Sequence, residues 1–564
     1  MARNKKLTIF VMCIGIFLCM LDTTIMNIAL PAIQTGLKVP LENLSWAINV
    51  YTIVFAVFTV PLGRLADMYG RNKIYLAGLL IFAAGSIGSG LADSSAALIA
   101  GRSIQSLGAA IVFPSSMTIG ISQVAIENRT KVIACLGVTQ GLAAALGPVI
   151  GGMVTQYMGW RWVFLINVPL LAIALVICLL QFDLKHEQKS REKIDISGSL
   201  LSMIFLFALT LALVKGREWG WGTPQIILLL LLSAAAFVSF ILYERRAQSP
   251  MIPMKLFRNR NFNGAALTVV LSQLFLVGVM VILPTFLTRM QHETELTAAL
   301  YVTPISLAIF IFSPIAGFLI KRLGARLIIF CGFLAMAVAY YSYYHLNITQ
   351  NNLQLIFTCV LMGSGYGLIV GPITVLAAAD FKGELLTASQ SVVGVLRQLG
   401  AVLAVAIFIS GLTSNVSGAR VTSINAAKKQ IQTLEIPKKD QQAMLQQISA
   451  AIKHQKAEKE KPAISKTKEK SIISTAYQKT LAQNHLKEQN VPERIKKTIH
   501  AKVTRSIKQK VHRLNDQVAH SEKQISHEIN FNMTNAFSSL YGWACPFALA
   551  ACFIAFLFKK KQEV

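Results

Sequence analysis

The sequence predicts an all-α integral membrane protein with about fourteen transmembrane helices. Hydrophobic residues make up 54% of the 564 residues and charged residues only 14%, whereas about 25% of residues are charged in soluble globular proteins. Stretches of roughly 20 mostly apolar residues, the length that crosses a bilayer, recur along most of the chain. Because a soluble core cannot bury so much apolar surface, the composition excludes an ordinary soluble protein.

Positive charge predicts the orientation of these helices. With the N-terminus inside, the inner loops and tails hold 24 Lys and Arg residues and the short outer loops hold five. Since short cytoplasmic loops are enriched in Lys and Arg, we expect both termini to be cytoplasmic in a plasma membrane. The predicted spans are residues 8–30, 45–63, 74–92, 96–120, 132–157, 162–181, 196–214, 225–243, 263–288, 297–320, 327–346, 353–376, 386–412 and 537–558.

Other classes of protein lack support in the sequence. The first apolar stretch, about 23 residues with Asp22 inside it, is too long for the apolar region of a secretory signal, so we interpret it as a retained span. All eight cysteines fall inside predicted spans, which leaves neither a disulfide framework nor a metal-binding Cys pair. The sequence contains no nucleotide-binding loop and therefore predicts neither an enzyme nor an ATP-driven pump.

A repeated motif predicts two related halves. Residues 63–73 (GRLADMYGRNK) and 317–326 (GFLIKRLGAR) each place two glycines seven residues apart in a basic turn between apolar helices. Related halves around a central cavity are typical of transporters. We expect two six-helix halves plus two inserted helices, divided into 1–181 (first half), 182–262 (inserted pair and flanking loops), 263–412 (spans 9–13) and 536–564 (span 14 and the cytoplasmic tail).

Residues 413–535 are predicted to form a basic, extracellular helical hairpin or small domain between spans 13 and 14. The segment holds 23 Lys and Arg and 10 Asp and Glu residues, a net charge of +13. Apolar residues spaced by three and four from Ile495 to Val518 indicate an amphipathic helix at about 492–529. The positive charge does not contradict an outer location, because long loops are translocated largely regardless of charge.

Asp22 is the only carboxylate that lies well inside a predicted span, in residues 21–31 (LDTTIMNIALP). A carboxylate at the bilayer centre costs about 2.5–3.5 kcal/mol, and a low dielectric favours its protonated form. These properties suit a proton-coupling site. The alternative is a hydrogen-bonded aspartate that packs two helices near the outer interface.

Arg102 in span 4 is the candidate partner of Asp22. An intramembrane arginine needs a counter-charge or carbonyl partners, and our hypothesis is that Arg102 approaches Asp22 in one conformation and changes its proton affinity. The alternative is that Arg102 snorkels to the outer surface. Arg397 in span 13 is the comparable embedded cation, able to contact an anionic group or to line a cavity. The candidate cavity residues are Asn27, Gln105, Arg397 and Gln398.

Span 5 predicts a kinked, tightly packed helix at the interface between the halves, able to act as a gate. Proline removes a helix hydrogen bond, and glycines let a neighbouring backbone approach closely. The residues concerned are Gly141, Gly147, Pro148, Gly151 and Gly152.

The motif at 63–73 is a candidate cytoplasmic gate. Asp67 can accept hydrogen bonds from Arg71 or from a helix N-terminus, which would hold the cytoplasmic helix ends together in the outward-facing state. The alternative is an ordinary cytoplasmic loop whose positive charges only fix the orientation of the helices. That alternative explains the basic residues but not Asp67 between Gly63 and Gly70.

These motifs together resemble the major facilitator superfamily, specifically its fourteen-span drug:proton antiporters of the multidrug efflux type. The resemblance covers nearly all of the chain outside 413–535. It is carried by the first-span motif (22–31), the motif of the second connection (63–73), the fourth-span motif (102–108) and the fifth-span antiporter motif (141–152).

The resemblance implies a bacterial exporter that works by proton-coupled alternating access, with Asp22 in proton coupling, Arg102 supporting it, and no cofactor beyond the proton gradient. Ser106 stands where the fourth-span motif usually has glycine. Some multidrug members carry additional acidic residues in the second half, which recognise cations, but here the acidic residues of that half fall in loops. We therefore expect monocations, neutral amphiphiles or lipid-like compounds as substrates.

Two further functions stay open. The chain could export or flip a native lipid or envelope precursor, with 413–535 binding anionic envelope polymers, lipid headgroups or a partner protein. It could instead be a surface receptor or assembly factor with a vestigial transport body, although the embedded Asp22 and Arg102 argue against this. Nothing in the sequence indicates a nucleic-acid partner.

Overall fold

The structure, a computed structural model, describes residues 4–39, 41–125, 129–184, 187, 195–248, 250–291, 293–345, 352–434, 438–454, 466–483 and 492–558. These residues form helices and connections, with no strand among them. The helices are α1 (Lys5–Leu37), α2 (Leu41–Tyr69), α3 (Arg71–Gly90), α4 (Ser95–Ser122), α5 (Arg129–Tyr157), α6 (Trp162–Leu165), α7 (Asn167–Gln181), α8 (Ile196–Trp219), α9 (Pro224–Glu244), α10 (Arg260–Arg289), α11 (Glu295–Leu323), α12 (Ala325–Tyr344), α13 (Asn352–Ala379), α14 (Gly383–Gln432), α15 (Lys438–His454), α16 (Lys466–Gln483) and α17 (Glu493–Ala551), with short 3-10 helices at Met254–Arg258 and Cys552–Leu557.

Thirteen helices in the described part of the chain are long and apolar enough to cross a membrane, which confirms the predicted all-α membrane architecture. The region of the fifth predicted span is α5, with 29 residues, but its described apolar stretch covers only Lys131–Ala143. A count of fourteen spans therefore stays a prediction. The sixth predicted span is divided, because Ile166 separates α6 from α7.

The repeated motif forms the same turn twice. Gly70 alone separates α2 from α3 and has φ 110°, and Gly324 alone separates α11 from α12 and has φ 80°. This backbone region is nearly exclusive to glycine and costs other residues about 1–3 kcal/mol. The sequence predicted a longer basic turn at 63–73, but α2 continues through Tyr69, so the connection is one residue long.

Helix α5 contacts both halves, since it packs on α1 of the first half and on α11 and α13 of the second. The inserted pair, α8 and α9, packs against itself, and α8 lies on α2. One apolar cluster joins α2, α8 and α14 through Val57, Leu206 and Val395. The inserted pair therefore packs on the helices of the two halves rather than standing apart.

Residues Leu412–Phe537 form a second compact unit, and the first unit comprises Met1–Gly411 with Ser538–Val564. The second unit contains the end of α14, the helices α15 and α16, and most of α17. Its apolar core consists of Ala427, Ile431 and Ile525, packed against Met444, Leu445, Ile448 and Ile529. The sequence predicted domain boundaries at residues 412 and 536, where span 13 ends and span 14 begins, because hydropathy changes there. The helices α14 and α17 nevertheless run through both positions without a break.

Replacing Gly324 with alanine should destabilise the protein. The alanine would have to adopt the backbone conformation of Gly324, φ 80° and ψ 157°, at a cost of about 1–3 kcal/mol. We expect Gly324→Ala to lower the midpoint of thermal unfolding in detergent. Gly222→Ala is the matched control, since an added Cβ there meets no atom within 4 Å; equal midpoints for the two variants would contradict the assignment of strain.

Candidate functional site

The principal polar site is a buried network, here called the Asp22 network, formed by Asp22, Arg102, Gln105 and Ser86. Helix α1 supplies Asp22, α4 supplies Arg102 and Gln105, and α3 supplies Ser86. The exposed fraction is 0% for Asp22 and 1% for Arg102. This burial contradicts the alternative in which Arg102 snorkels to the surface.

Both carboxylate oxygens of Asp22 accept hydrogen bonds. Arg102 Nη1 donates to Asp22 Oδ2 at 2.5 Å and to Gln105 Oε1 at 2.8 Å. Gln105 Nε2 donates to Asp22 Oδ1 at 2.8 Å and lies 2.9 Å from Ser86 Oγ. Since a buried charge is tolerated only when it is paired and hydrogen-bonded, this network explains how an aspartate and an arginine are held inside an apolar bundle.

Aromatic rings enclose the guanidinium group of Arg102. Its central carbon lies 4.3 Å from the ring centroid of Tyr51 and 5.8 Å from that of Phe164, a cation–π arrangement. Arg102 Nε also donates to the carbonyl of Ala47 at 3.3 Å. The hydroxyl of Ser106, the residue that departs from the fourth-span motif, donates to the carbonyl of Tyr51 at 2.5 Å. Ser106 therefore joins α4 to α2 by a bond that glycine lacks.

Close helix packing brings the network together. A Cβ added to Gly85 would lie 2.4 Å from the Cα atom of Gln105, and a Cβ added to Gly108 would lie 2.7 Å from the Cα atom of Phe82. These glycines therefore let α3 and α4 approach closely enough for Gln105 to reach Ser86. The motif glycines of span 4 act through packing, while the polar residues between them carry the charge.

Sequence reasoning missed several members of this site. Ser86, Tyr51 and Phe164 each contact the network directly, and Asn167 of α7 is buried beside Asp22. Asn167 is a polar residue in an apolar span, which is a weak signal that could have marked it. Tyr51 and Phe164 are ordinary residues for a membrane helix, so a single sequence gives no reason to select them.

The glycines of α5 face two different neighbours. A Cβ added to Gly151 would lie 2.8 Å from Ile25 Cγ1 of α1, and one added to Gly147 would lie 2.8 Å from Thr24 Cβ. Gly141 faces α11, where an added Cβ would lie 3.1 Å from Ile309 Cγ2. The glycine pattern therefore lets α5 pack tightly on both halves. The side chains of Pro148 and Asn27 lie outside the described residues, and the predicted kink at Pro148 stays a prediction.

The 63–73 motif connects the first half to α14 of the second. Arg71 Nε donates to Asp67 Oδ1 at 2.6 Å, and Thr387 Oγ1 of α14 donates to the same oxygen at 3.0 Å. Arg71 Nη2 also donates to the carbonyl of Gly383 at 3.1 Å. At the same end of the bundle, Arg129 Nη1 of α5 donates to the carbonyl of Phe381 at 3.2 Å. These bonds hold the two halves together at the end that contains the α2–α3 turn.

A second buried polar group lies between the halves, at Arg397 and Gln398 of α14. Each is 7% exposed, and Arg397 Nη1 donates to Gln140 Oε1 of α5. The structure thus places Arg397 against the first half, whereas Gln105 belongs to the Asp22 network. Among the described residues, no cluster of three or more His, Cys, Asp or Glu side chains is arranged to hold a metal ion.

Comparison with known proteins identifies the family. The profile of the Major Facilitator Superfamily matches residues 12–405. The chain belongs to the Major Facilitator Superfamily. Multidrug resistance protein Stp of Mycobacterium tuberculosis (strain CDC 1551 / Oshkosh) is 31% identical over 417 residues, which cover 73% of this chain and 77% of Stp. Multidrug transporter protein MdtP of Bacillus subtilis (strain 168) is 29% identical over 401 residues, which cover 71% of this chain and 74% of MdtP.

A solved structure shows the same fold. The human organic anion transporter MFSD10 (TETRAN) aligns with a TM-score of 0.52 over 72% of this chain and 93% of its own, at 14% identity. That identity supports the fold alone. The family match and the bacterial relatives confirm the sequence-based resemblance: this Major Facilitator Superfamily chain is a multi-pass membrane transporter, related to multidrug resistance proteins, and not an enzyme.

A cysteine pair at the end of the bundle that contains the α2–α3 turn should lock the two halves together. A Cβ on Gly63 of α2 would lie 3.7 Å from Ser391 Cβ of α14, within the 3.5–4.5 Å range of disulfides. In the double variant Gly63→Cys, Ser391→Cys, mild oxidation should remove two alkylatable thiols, measured by intact mass, and should stop transport until a reductant is added. Each single variant is the control for the eight native cysteines. Full transport by the fully cross-linked double variant would contradict the interpretation of this end as a moving gate.

Proposed function

We propose that this chain is a proton-coupled antiporter that exports amphipathic, drug-like or lipophilic compounds by alternating access. The observation that carries the proposal is the fully buried pair of Asp22 and Arg102. Ionisable residues inside transporter membrane helices mark proton and substrate pathways. The chain's relatives Stp and MdtP are a multidrug resistance protein and a multidrug transporter, which supports drug-like compounds as the exported class.

The geometry of the Asp22 network supports proton coupling. The carboxylate accepts bonds from Arg102 and Gln105, an arrangement that suits the ionised form. Protonation of Asp22 removes its charge and leaves the guanidinium buried without a counter-ion, which is strongly unfavourable. A conformation in which water or another acceptor reaches Arg102 is then favoured. Proton binding and helix rearrangement are in this way linked through one ion pair.

Under this proposal the structure is closed towards the cytoplasm. The positive-inside pattern assigns the α2–α3 turn to the cytoplasmic side, where Asp67 and Arg71 hold Thr387 and Gly383 of α14. Opening on that side requires these bonds to break. The proposal also includes fourteen spans, cytoplasmic termini in a bacterial plasma membrane, and an extracellular location for the second unit, Leu412–Phe537.

Export of a native lipid or envelope precursor is the second candidate, and the second unit supports it. A groove of about 780 Å³ between α16 and α17 is rich in cationic side chains, including Lys496, Lys497, Arg505 and Lys508. Such a groove suits anionic envelope polymers or lipid headgroups. A partner protein at this unit is the further alternative.

Asp22→Asn should abolish proton-driven transport while leaving the protein folded. Asparagine preserves the size of the side chain and can still accept from Arg102, but it cannot bind and release a proton. In liposomes with an imposed pH gradient, we expect gradient-driven substrate accumulation to fall at least about tenfold, and substrate binding in detergent to persist. Asp93→Asn, at an exposed aspartate, is the matched control. Unchanged gradient-driven transport by Asp22→Asn would refute the proposed coupling site.

The location of the second unit can be tested with a cysteine introduced at Lys466, the first residue of α16. In intact cells, Lys466→Cys should react with a membrane-impermeant maleimide added from outside, because the unit is proposed to be extracellular. Arg245→Cys, at the exposed C-terminal cap of α9 on the opposite predicted side, should react only after the cells are lysed. The reverse pattern would require a different number of spans.

A further inference from the structure

Arg397 is a buried cation near the middle of the membrane-spanning part of α14. It lies 14 residues after Gly383, about 21 Å along the helix at 1.5 Å per residue, and it is 7% exposed. Arg397 Nη1 donates a hydrogen bond to Gln140 Oε1 of α5. A positive charge is therefore held between the two halves by a neutral amide.

No carboxylate in the described part of the chain forms an ion pair with Arg397. Two other buried cations do have such partners, Arg102 with Asp22 and Lys215 with Glu218. Three other buried acids have partners of their own. Asp22 accepts hydrogen bonds from Arg102 and Gln105. Asp67 accepts hydrogen bonds from Arg71 and Thr387. Glu244 accepts hydrogen bonds from backbone amides. An uncompensated buried charge is costly, so the fold maintains Arg397 without the counter-ion that would stabilise it.

The surroundings of Arg397 combine apolar and polar groups from both halves. The Phe113 ring centroid lies 6.0 Å from its guanidinium carbon, and Met117 Sδ lies 3.9 Å from Gln140 Nε2. From the second half, Tyr366 of α13 lies close enough to Arg397 to interact with its charge. The Tyr366 hydroxyl donates a hydrogen bond to Gln273 Oε1 of α10 at 2.7 Å. Helices α4, α5, α10, α13 and α14 therefore converge here, at the interface where transporters of two related halves bind substrates.

We propose that Arg397 is the recognition residue for an amphiphile with an anionic headgroup, such as a carboxylate or a phosphate. When the halves separate, the guanidinium exchanges Gln140 for the anion, which it binds in a bidentate manner, and Phe113 and Met117 contact the apolar body of the substrate. This inference rests on the proposed export function and specifies its substrate class. It also replaces the sequence-based expectation of monocations, because acidic residues that would attract cations are absent from the described surroundings of Arg397.

The test uses three probes that share one dansyl-undecanyl chain and differ in their headgroup: carboxylate, carboxamide or trimethylammonium. Binding to the full-length protein in phosphatidylcholine nanodiscs is followed by dansyl fluorescence. We expect the wild type to prefer the carboxylate. Arg397→Gln should weaken carboxylate binding at least about tenfold, as loss of a charge-assisted bond does, and change carboxamide binding less than about twofold. Lys215→Gln, which removes a buried cation outside this interface, should leave the order of affinities unchanged.

Arg397→Lys provides the second variant, because it keeps the charge but loses the planar fork. It should retain a preference for the carboxylate with an intermediate affinity. Equal weakening of all three probes by both variants, or preference of the wild type for trimethylammonium, would overturn the proposal. Nanodiscs that contain phosphatidylglycerol distinguish a lipid headgroup from a free anion: Arg397-dependent competition by this lipid supports the site and assigns its ligand to the membrane.

The same probes separate this inference from the proposed function. If carboxylate binding depends on Arg397 but a pH gradient drives no uptake into liposomes, proton-coupled export fails and the anion site stands. If a gradient drives uptake of all three probes equally and Arg397→Gln does not alter their ratio, export stands and the substrate assignment fails.

Discussion

The ion pair between Asp22 and Arg102 is the interaction on which the arrangement of the first half depends. A charge inside an apolar bundle requires a partner, and this one draws together α1, α3 and α4 through Arg102, Gln105 and Ser86. The rings of Tyr51 and Phe164 exclude water from it. Because the pair is buried, a change of protonation at one carboxylate alters the electrostatic balance of several helices at once. A surface ion pair, screened by water, would have only a small effect.

Buried charge is distributed unequally over the two halves. The first half satisfies its intramembrane charges internally, since Arg102 has a carboxylate partner. The second half contributes Arg397, which relies on an amide from across the interface. The repeat shows the same inequality at the turns, where Asp67 and Arg71 of the first copy correspond to Lys321 and Ala325 of the second. Two halves of one architecture thus differ in their buried charge: the first half contains an internal ion pair, and the second half contains a cation whose partner is an amide across the interface.

The sequence predicted the architecture and the charged residues of the site, but not all of their partners. Hydropathy located the membrane helices because a bilayer requires long apolar segments, and the rarity of embedded charges singled out Asp22, Arg102 and Arg397. Local sequence could not reveal that Thr387 faces Asp67, 320 residues away, or that Gln140 faces Arg397. Such pairs are fixed by helix packing across the chain. The continuity of α14 beyond residue 412 was equally hidden, because polarity changes there while helix propensity does not.

The one-residue turns at Gly70 and Gly324 have a mechanical consequence. With a single residue between them, α2 and α3 cannot slide past each other at that end, and neither can α11 and α12. An axial shift of one helix at this end must be followed by its neighbour. The turns therefore couple the helix ends in pairs at one membrane surface, while along their lengths α3 packs mainly on α4 and α12 mainly on α13.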